Sequence, residues 1–418
     1  MARTMNTNTT QSSMSLPAHH AFIKPQLPPW LRQAPASLLQ DFRDSLIKSN
    51  RARHDLKALL DEIQSPEDYA RPILRVMLTR RFFGLIDNEN AILVREWKNH
   101  HLLGLIKTHV RTTRQTLLEA ALQNFEASEA VEGGMDAGTA IYNVTPNGEQ
   151  PSTISAIAFA KFCRRLDLGG KYLAHIFSIL EPSPSSASQR TPQQVRSLFR
   201  AQAQHAFGVA LHIAYMHHHL TPKQHLQLNS LYQSGSHAEI QSNHLTINEV
   251  VVPGVLVITA ETIGIPFILY TPDDPVAPFR QYTSLADLKR RLAERLLDAK
   301  YRAAFNRLVP LQHQGDLLEA IPPRSGSPAI EMAGRIGTEP AYLKHPLTLT
   351  PISTQVFAAI AEQKIAQIKD DAQILAVLSA NADLLSRQKR LQSYLDTGKS
   401  LLFFAASFIP IVGEVLLV

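Results

Sequence analysis

The sequence predicts a mainly helical protein with a small β-sheet, an α+β fold in which a multi-helix array packs around short strands at about residues 245–270. Two observations carry this. Over most of the chain, apolar residues recur at three- and four-residue spacing, the period of a helix with one buried face. The stretch His244–Pro310 departs from it. Leu245 and Ile247 alternate with polar neighbours, and Val255–Ile258 and Ile265–Tyr270 are continuous apolar runs, as strands covered on both faces would be. This is the one clear β signal in the sequence.

Composition sets wide bounds. A chain of 418 residues is long enough for about two to three domains. The expected division is a disordered leader at 1–20, a helical domain with a small sheet at 21–320, a Pro/Gly-rich linker at 321–352, and a helical pair at 353–418 running into an apolar segment. A net charge of +6 is small for this length. It suits mild affinity for acidic surfaces and speaks against a nucleic-acid partner. The single cysteine, Cys163, sits among Phe159, Phe162 and Leu166, which predicts a buried, inert thiol. The leader MARTMNTNTTQSSMS has no apolar h-region, so no Sec-type signal peptide is expected.

In order along the chain, Pro28-Pro29 sets an extended approach that plants Trp30 and Leu31 on a core. A helix is predicted over Ala36–Ile63. Ser65-Pro66-Glu67-Asp68 caps a second, reaching about Phe83. The cluster Asp87–Asn90 is read as the cap of a long helix to about Phe125, carrying Trp97, Leu102, Leu105, Ile106, Leu117 and Leu118. Glycines and prolines from Glu132 to Pro151 predict a loop or short hairpin around Ile141–Val144. Helices follow at about Ile154–Leu166 and Lys171–Leu180, with Gly169-Gly170 expected as the left-handed stop between them. Thr191-Pro192-Gln193-Gln194 is a capping box for a helix to about His219, and Thr221-Pro222 starts the next, to about Gln233. Pro253-Gly254 is expected to turn the chain between strands, and Asp273-Asp274 to sit in a Pro-bracketed turn. Ser284, with Asp287 three positions on, caps one long amphipathic helix buried through Leu285, Leu288, Leu292, Leu296, Phe305 and Leu308. Helices at about Thr354–Leu378 and Ala382–Leu395 close the series.

The sequence excludes more chemistry than it offers. His212, His217, His218, His219, His225, His237 and His244 crowd into one third of the chain, yet no two have the i, i+4 spacing of a zinc helix. His212 and His219 share a helical face two turns apart. The plain expectation is a solvated helix end where histidine suits the dipole, and a pH response would draw on the same residues. Gly398-Lys399-Ser400 resembles the tail of a P-loop, but Ser393 stands where its first glycine belongs and the preceding residues read as helix. No G-x-S-x-G elbow exists. Asp before proline in a turn is the ordinary use of Asp273 and Asp274, against a cation site. No catalytic residue, cofactor or metal ligand is assigned.

The last residues differ in kind. Leu401–Gly413 is uncharged and mostly apolar, then come Glu414 and four more apolar residues. A bilayer span needs about 20 residues, and Pro410 and Glu414 interrupt this run. The expectation is a segment of a longer polypeptide, the front of a membrane-active stretch. Its candidate membrane contacts are Leu401, Leu402, Phe403, Phe404, Phe408, Ile409, Ile411 and Val412, flanked by Arg387, Lys389, Arg390 and Lys399, which suit anionic headgroups.

Several segments together resemble the N-terminal domain family of dermonecrotic toxin-like proteins. They are LPPWLRQAP (Leu27–Pro35), FCRRLDLGGKYLAHI (Phe162–Ile176), VLVI (Val255–Ile258) with ILYTPDDPVAPFRQYTSLADL (Ile268–Leu288), KIAQIKDDAQILAV (Lys364–Val377) and the run Arg387–Glu414. The resemblance implies the front module of a large bacterial protein, followed by leucine-rich repeats or effector modules. It carries no catalytic residue over to this chain. It implies a non-catalytic N-terminal module of a secreted toxin or effector, delivered without a Sec signal, supporting delivery or host-membrane engagement. The alternative is a protein-interaction scaffold packing against downstream domains; without export the chain would be cytoplasmic. In similar proteins the apolar stretch continues, so a fragment or shortened member is expected.

Overall fold

A computed structural model describes residues 28–87, 90–101, 106–183, 190–260, 265–272, 274, 277–310, 313–314, 316–322 and 340–380. The fold is α+β, as the apolar spacing predicts. It is also richer in strand than the sequence suggested.

The first half is a helical layer on a four-stranded sheet. Helices α1 (Pro29–Arg32), α2 (Ala36–Leu60) and α3 (Pro66–Phe82) come first. Ser65 caps α3 through the Asp68 amide, and Pro66 occupies the first turn. Leu31 is buried and Trp30 packs against His217, ring centroids 4.8 Å apart, so the Pro28-Pro29 approach plants both residues as expected.

The next segment overturns an expectation. Asp87–Asn90 does not open a long helix. Ala91–His101 is strand β1, Ile106–Thr116 is strand β2, and only Leu117–Gln123 is helical, as α4. Leucines at helix-like spacing mislead here. The informative pattern is period two: Ala91, Leu93 and Arg95 point inward and alternate with Ile92, Val94 and Glu96. Val110, Thr112 and Thr113 are β-branched and favour the pleat. The predicted hairpin does form, as β3 (Ala140–Thr145) and β4 (Gly148–Pro151), and β3 pairs antiparallel with β1 through Leu93 opposite Ile141. The sheet runs β2-β1-β3-β4. The strands near 245–270 are therefore not the only β-structure.

Helices α5 (Ala156–Leu166) and α6 (Leu168–Leu180) follow. The stop between them is Asp167, left-handed at φ 47°, and not the two glycines, which lie inside α6. Asp167 also caps α6 by accepting from the Gly170 amide at 3.1 Å. A Cβ at Gly170 would lie 2.3 Å from the Asp167 carboxylate, so the glycine makes room for the cap. Cys163 is buried as expected, and burial raises its thiol pKa well above the usual value, against a smaller opposing pull from Arg95.

The second half has three layers. Helices α7 (Pro192–Met216) and α8 (Pro222–Ser234) start at the predicted Thr-Pro pairs, the first with the predicted capping box and the second with one as well. Strands β5 (Gln241–Ile247), β6 (Val250–Ala260), β7 (Ile265–Tyr270) and β8 (Phe279–Tyr282) follow, then α9 (Leu285–Leu296) and α10 (Ala299–Asn306). Short strands β9 (Ala320–Ile321) and β10 (Tyr342–Leu343) pair with each other. Strand β11 (Leu347–Pro351) joins β5, giving the antiparallel order β11-β5-β6-β7-β8, and α11 (Val356–Ala380) completes the described chain. Part of the stretch read as a linker is thus an edge strand. Residues 323–339 and 381–418, with the second helix of the expected last pair, lie outside the described residues.

Two further readings change. Pro253-Gly254 does not turn the chain. It sits inside β6 where the register with β5 shifts between His244 and Thr246, a bulge that tolerates a residue with no N–H to donate. The turn is Asn248-Glu249, both at positive φ. The single long helix from Ser284 is two, because Asp298 accepts from the Lys300 and Tyr301 amides and caps a new start.

Strand β6 is buried on both faces, as its apolar run requires. Leu256 and Ile258 meet Phe207, Leu211 and Phe357 of α7 and α11. Val255 and Val257 meet Leu288, Leu292 and Phe305 of α9 and α10. Phe207 lies edge-on to Tyr270, Phe279 and Phe357, with centroids 4.9, 5.1 and 5.4 Å away. Pairs of this kind contribute about 0.5–1.5 kcal/mol each beyond buried area. Helices α7 and α11 tie the halves together: Val195, Phe199, Ile365 and Ile368 belong to the first core, and Phe207, Phe357 and Ile360 to the second.

Candidate functional site

The densest polar chemistry among the buried residues lies where α2, α7 and α8 meet. Helix α7 carries Ala203, Ala206, Gly208, Ala210 and Ala214, small residues that let neighbours approach on several sides. A Cβ at Gly208 would lie 2.6 Å from the ring of Tyr232 on α8, so that approach depends on glycine. His212 stands in the middle of this contact and is 1% exposed.

Its two ring nitrogens have different partners. Nε2 lies 3.2 Å from Ser45 Oγ of α2, and Nδ1 lies 3.2 Å from His225 Nε2 of α8. Tyr215 stacks on His225 with centroids 4.2 Å apart. Two turns earlier, His205 Nδ1 lies 3.2 Å from the Tyr232 hydroxyl, and Gln204 donates to the Tyr232 carbonyl at 2.7 Å. A cavity of about 100 Å³ opens beside the cluster, lined by Asp41, Ser45, Lys48, His212, Asn229 and Tyr232 among others. The Asn229 Oδ1 is buried there with no hydrogen-bond partner among the described residues.

Electrostatics follow from the geometry. Burial depresses the His212 pKa to about 4; the neighbouring His225 adds to this and Asp41 opposes it. Burial likewise lowers His225, again against Asp41. The neutral pair is fully bonded, since one N–H between the rings suffices and Ser45 can either donate or accept. A first added proton charges a buried ring. A second sets N–H against N–H across the 3.2 Å contact.

The arrangement is therefore a proton-sensitive junction between helices. It is poorly suited to nucleophilic catalysis. Ser45 lies within a helix and is buried, His212 is oriented by a histidine in place of a carboxylate, and the cavity is far below the roughly 300 Å³ of small-molecule sites. Among the described residues no three His, Cys, Asp or Glu side chains gather to hold a metal ion.

The histidines expected at a solvated helix end divide. His217, His218 and His219 are exposed, as read; His212 and His244 are buried. The shared face of His212 and His219 does not matter, and the partner of His212 is His225, on the next helix. The alanine-rich, glycine-bearing run of α7 is the signal that would have placed His212 inside.

Asp274 does serve its turn, accepting from the Ala277 amide at 3.1 Å. It also binds Arg295 at 2.7 Å and Arg280 at 3.5 Å, so arginines occupy the place a cation would take. Asp273 lies outside the described residues. So do Arg387, Lys389, Arg390, Lys399 and the apolar contacts from Leu401 to Val412. Among the described residues no helix is long and apolar enough to cross a membrane.

A family model described as dermonecrotic toxin, N-terminal domain, matches residues 60–312, from the end of α2 past α10 and including the His212–His225 pair. No curated protein matches the chain.

Proposed function

The chain belongs to the dermonecrotic toxin N-terminal domain family, and from that premise we propose that it is a non-catalytic front module of a secreted bacterial toxin or effector, supporting delivery or host-membrane engagement. The family match supports the toxin-module part of the reading. The apolar, basic-flanked segment Leu401–Val418 would be the element that meets lipid. The histidine junction of α2, α7 and α8 would loosen the module on acidification, because its neutral form is the one the fold accommodates.

Vesicle flotation tests this, with the full chain and a chain lacking Leu401–Val418, at neutral and mildly acidic pH. The full chain should float with anionic vesicles, more so at acidic pH, and the shortened chain should float less. Failure of both to bind at either pH would overturn the membrane part and favour a scaffold that packs against other domains.

A further inference from the structure

Away from the histidine junction, one surface has a composition that folding does not account for. From Tyr69 to Ile86 the chain carries Arg71, Arg75, Arg80 and Arg81 with no Asp or Glu, and α5 carries Lys161, Arg164 and Arg165 with none either. The structure places these runs side by side. A groove of about 440 Å³ between α3 and α5 is lined by Met77, Arg80, Arg81, Lys161 and Arg165. A second groove of about 590 Å³ along α3 is lined by Arg71, Arg75, Val76 and Arg80, so Arg80 belongs to both. Arg75, Arg80, Lys161 and Arg165 form no ion pair among the described residues.

Basic residues near a helix C-terminus complement its dipole. That explains Arg80, Arg81, Arg164 and Arg165. It leaves Arg75 and Lys161 unexplained, and it does not touch the apolar residues set among them. Val76 and Met77 are exposed between the arginines. Just beyond, Phe83 ends α3 in the left-handed region at φ 52° with its side chain 88% exposed, and Leu85 is 54% exposed. Helix ends of this shape ordinarily use glycine. A solvent-facing phenylalanine there costs backbone strain and buries nothing.

We propose that the α3–α5 face docks on an anionic phospholipid bilayer. Guanidinium groups bind phosphate oxygens through paired N–H donors, and the grooves offer several within reach of one headgroup layer. Phe83, Leu85, Val76 and Met77 supply apolar side chains for the boundary between headgroups and acyl chains. A nucleic-acid backbone would match the arginines but leave Phe83 and Leu85 without a partner. An acidic protein surface would need apolar pockets placed beside its carboxylates, whereas a bilayer offers an apolar layer all along its headgroup plane. The inference rests on the membrane reading above but on different residues.

The test uses the full chain and vesicles of phosphatidylcholine with or without phosphatidylserine. Binding should require phosphatidylserine and fall with added salt. Arg75→Glu/Arg80→Glu/Arg165→Glu should weaken it roughly a hundredfold, with no more than the small drop in melting temperature that reversing two charges at helix C-termini brings. Phe83→Gly, which relieves the left-handed backbone, should keep or raise the melting temperature and still weaken binding. Phe403→Ser/Phe404→Ser separates this proposal from the preceding one. If the charge reversals bind like the parent while the Phe403/Phe404 variant does not, the α3–α5 proposal is overturned and the earlier membrane reading stands. If the charge reversals abolish binding and the Phe403/Phe404 variant binds normally, the reverse holds. Binding to phosphatidylcholine alone, or to no vesicle, overturns the proposal.

Discussion

His212 Nδ1 lies 3.2 Å from His225 Nε2, a contact that accommodates a single proton between two rings held on different helices. Stability should therefore depend on pH in a defined direction. The folded-state pKa of His212 is depressed to about 4 from 6.5. The unfolded chain takes up a proton as pH falls through 6.5, while the folded chain resists until about 4. The stabilisation is complete above about pH 6.5 and is lost progressively down to about 4, on the order of 3 kcal/mol at most. Burial also lowers the pKa of His175, His205, His225 and His244, which adds to the slope. Urea unfolding of the parent and His212→Gln across this range isolates the His212 share. The variant should show the shallower loss; identical slopes would refute the assignment.

Gly208 faces the ring of Tyr232, and an added Cβ would come within 2.6 Å of it. Alanine favours a helix by about 1 kcal/mol over glycine. Overpacking a tight contact costs about 1–3 kcal/mol, and here it acts against backbone on one side and a buried ring on the other. Gly208→Ala should lower the melting temperature, and Tyr232→Leu in the same chain should recover part of the loss. A rise in melting temperature for the single variant would count against the close approach.

Arg95 is buried under the sheet, with its guanidinium 4.3 Å from the Phe125 centroid and 3.5 Å from the Glu129 carboxylate. Removing one member of a buried pair costs up to about 3–5 kcal/mol. Glu129→Gln should destabilise by an amount in that range, measured by denaturant unfolding. The double variant Glu129→Gln/Arg95→Met should be more stable than Glu129→Gln alone. If the double variant were the less stable, the pairing account would fail.

Asn248 and Glu249 both have positive φ, at 49° and 65°, in the tight turn between β5 and β6. Two positive φ values in a two-residue hairpin favour Asn-Gly. Glu249→Gly should raise stability by about 0.5–1 kcal/mol in thermal melts. A loss would show that the Glu249 side chain does something the backbone account omits.

Much of the local structure was legible. The caps at Ser65, Thr191, Thr221 and Ser284 read correctly because each is a short-range contact between a side-chain oxygen and an amide three residues on. The continuous apolar run Val255–Ile258 correctly announced a strand covered on two faces. Where two local patterns competed, the reading failed. Leu102, Leu105 and Ile106 suggested a helix, while Arg95, buried yet charged, hid the period-two pattern of Ala91 and Leu93.

The sequence by itself determined most of the helices outside Ala91–Thr116, the caps at Ser65, Thr191, Thr221 and Ser284, a covered sheet at about 245–270, and the family to which the chain is similar. Those properties depend on neighbours within a turn or two, or on long runs of residues. Tertiary structure alone decided that β1 pairs with β3, that Pro253-Gly254 bulges instead of turning, and that His212 meets His225 and Ser45. Each joins segments whose relative placement no local spacing encodes, Ser45 and His212 being 167 residues apart. The same holds for the basic face: its arginines and lysine are visible in the sequence, but only the packing of α3 against α5 gathers them around one groove.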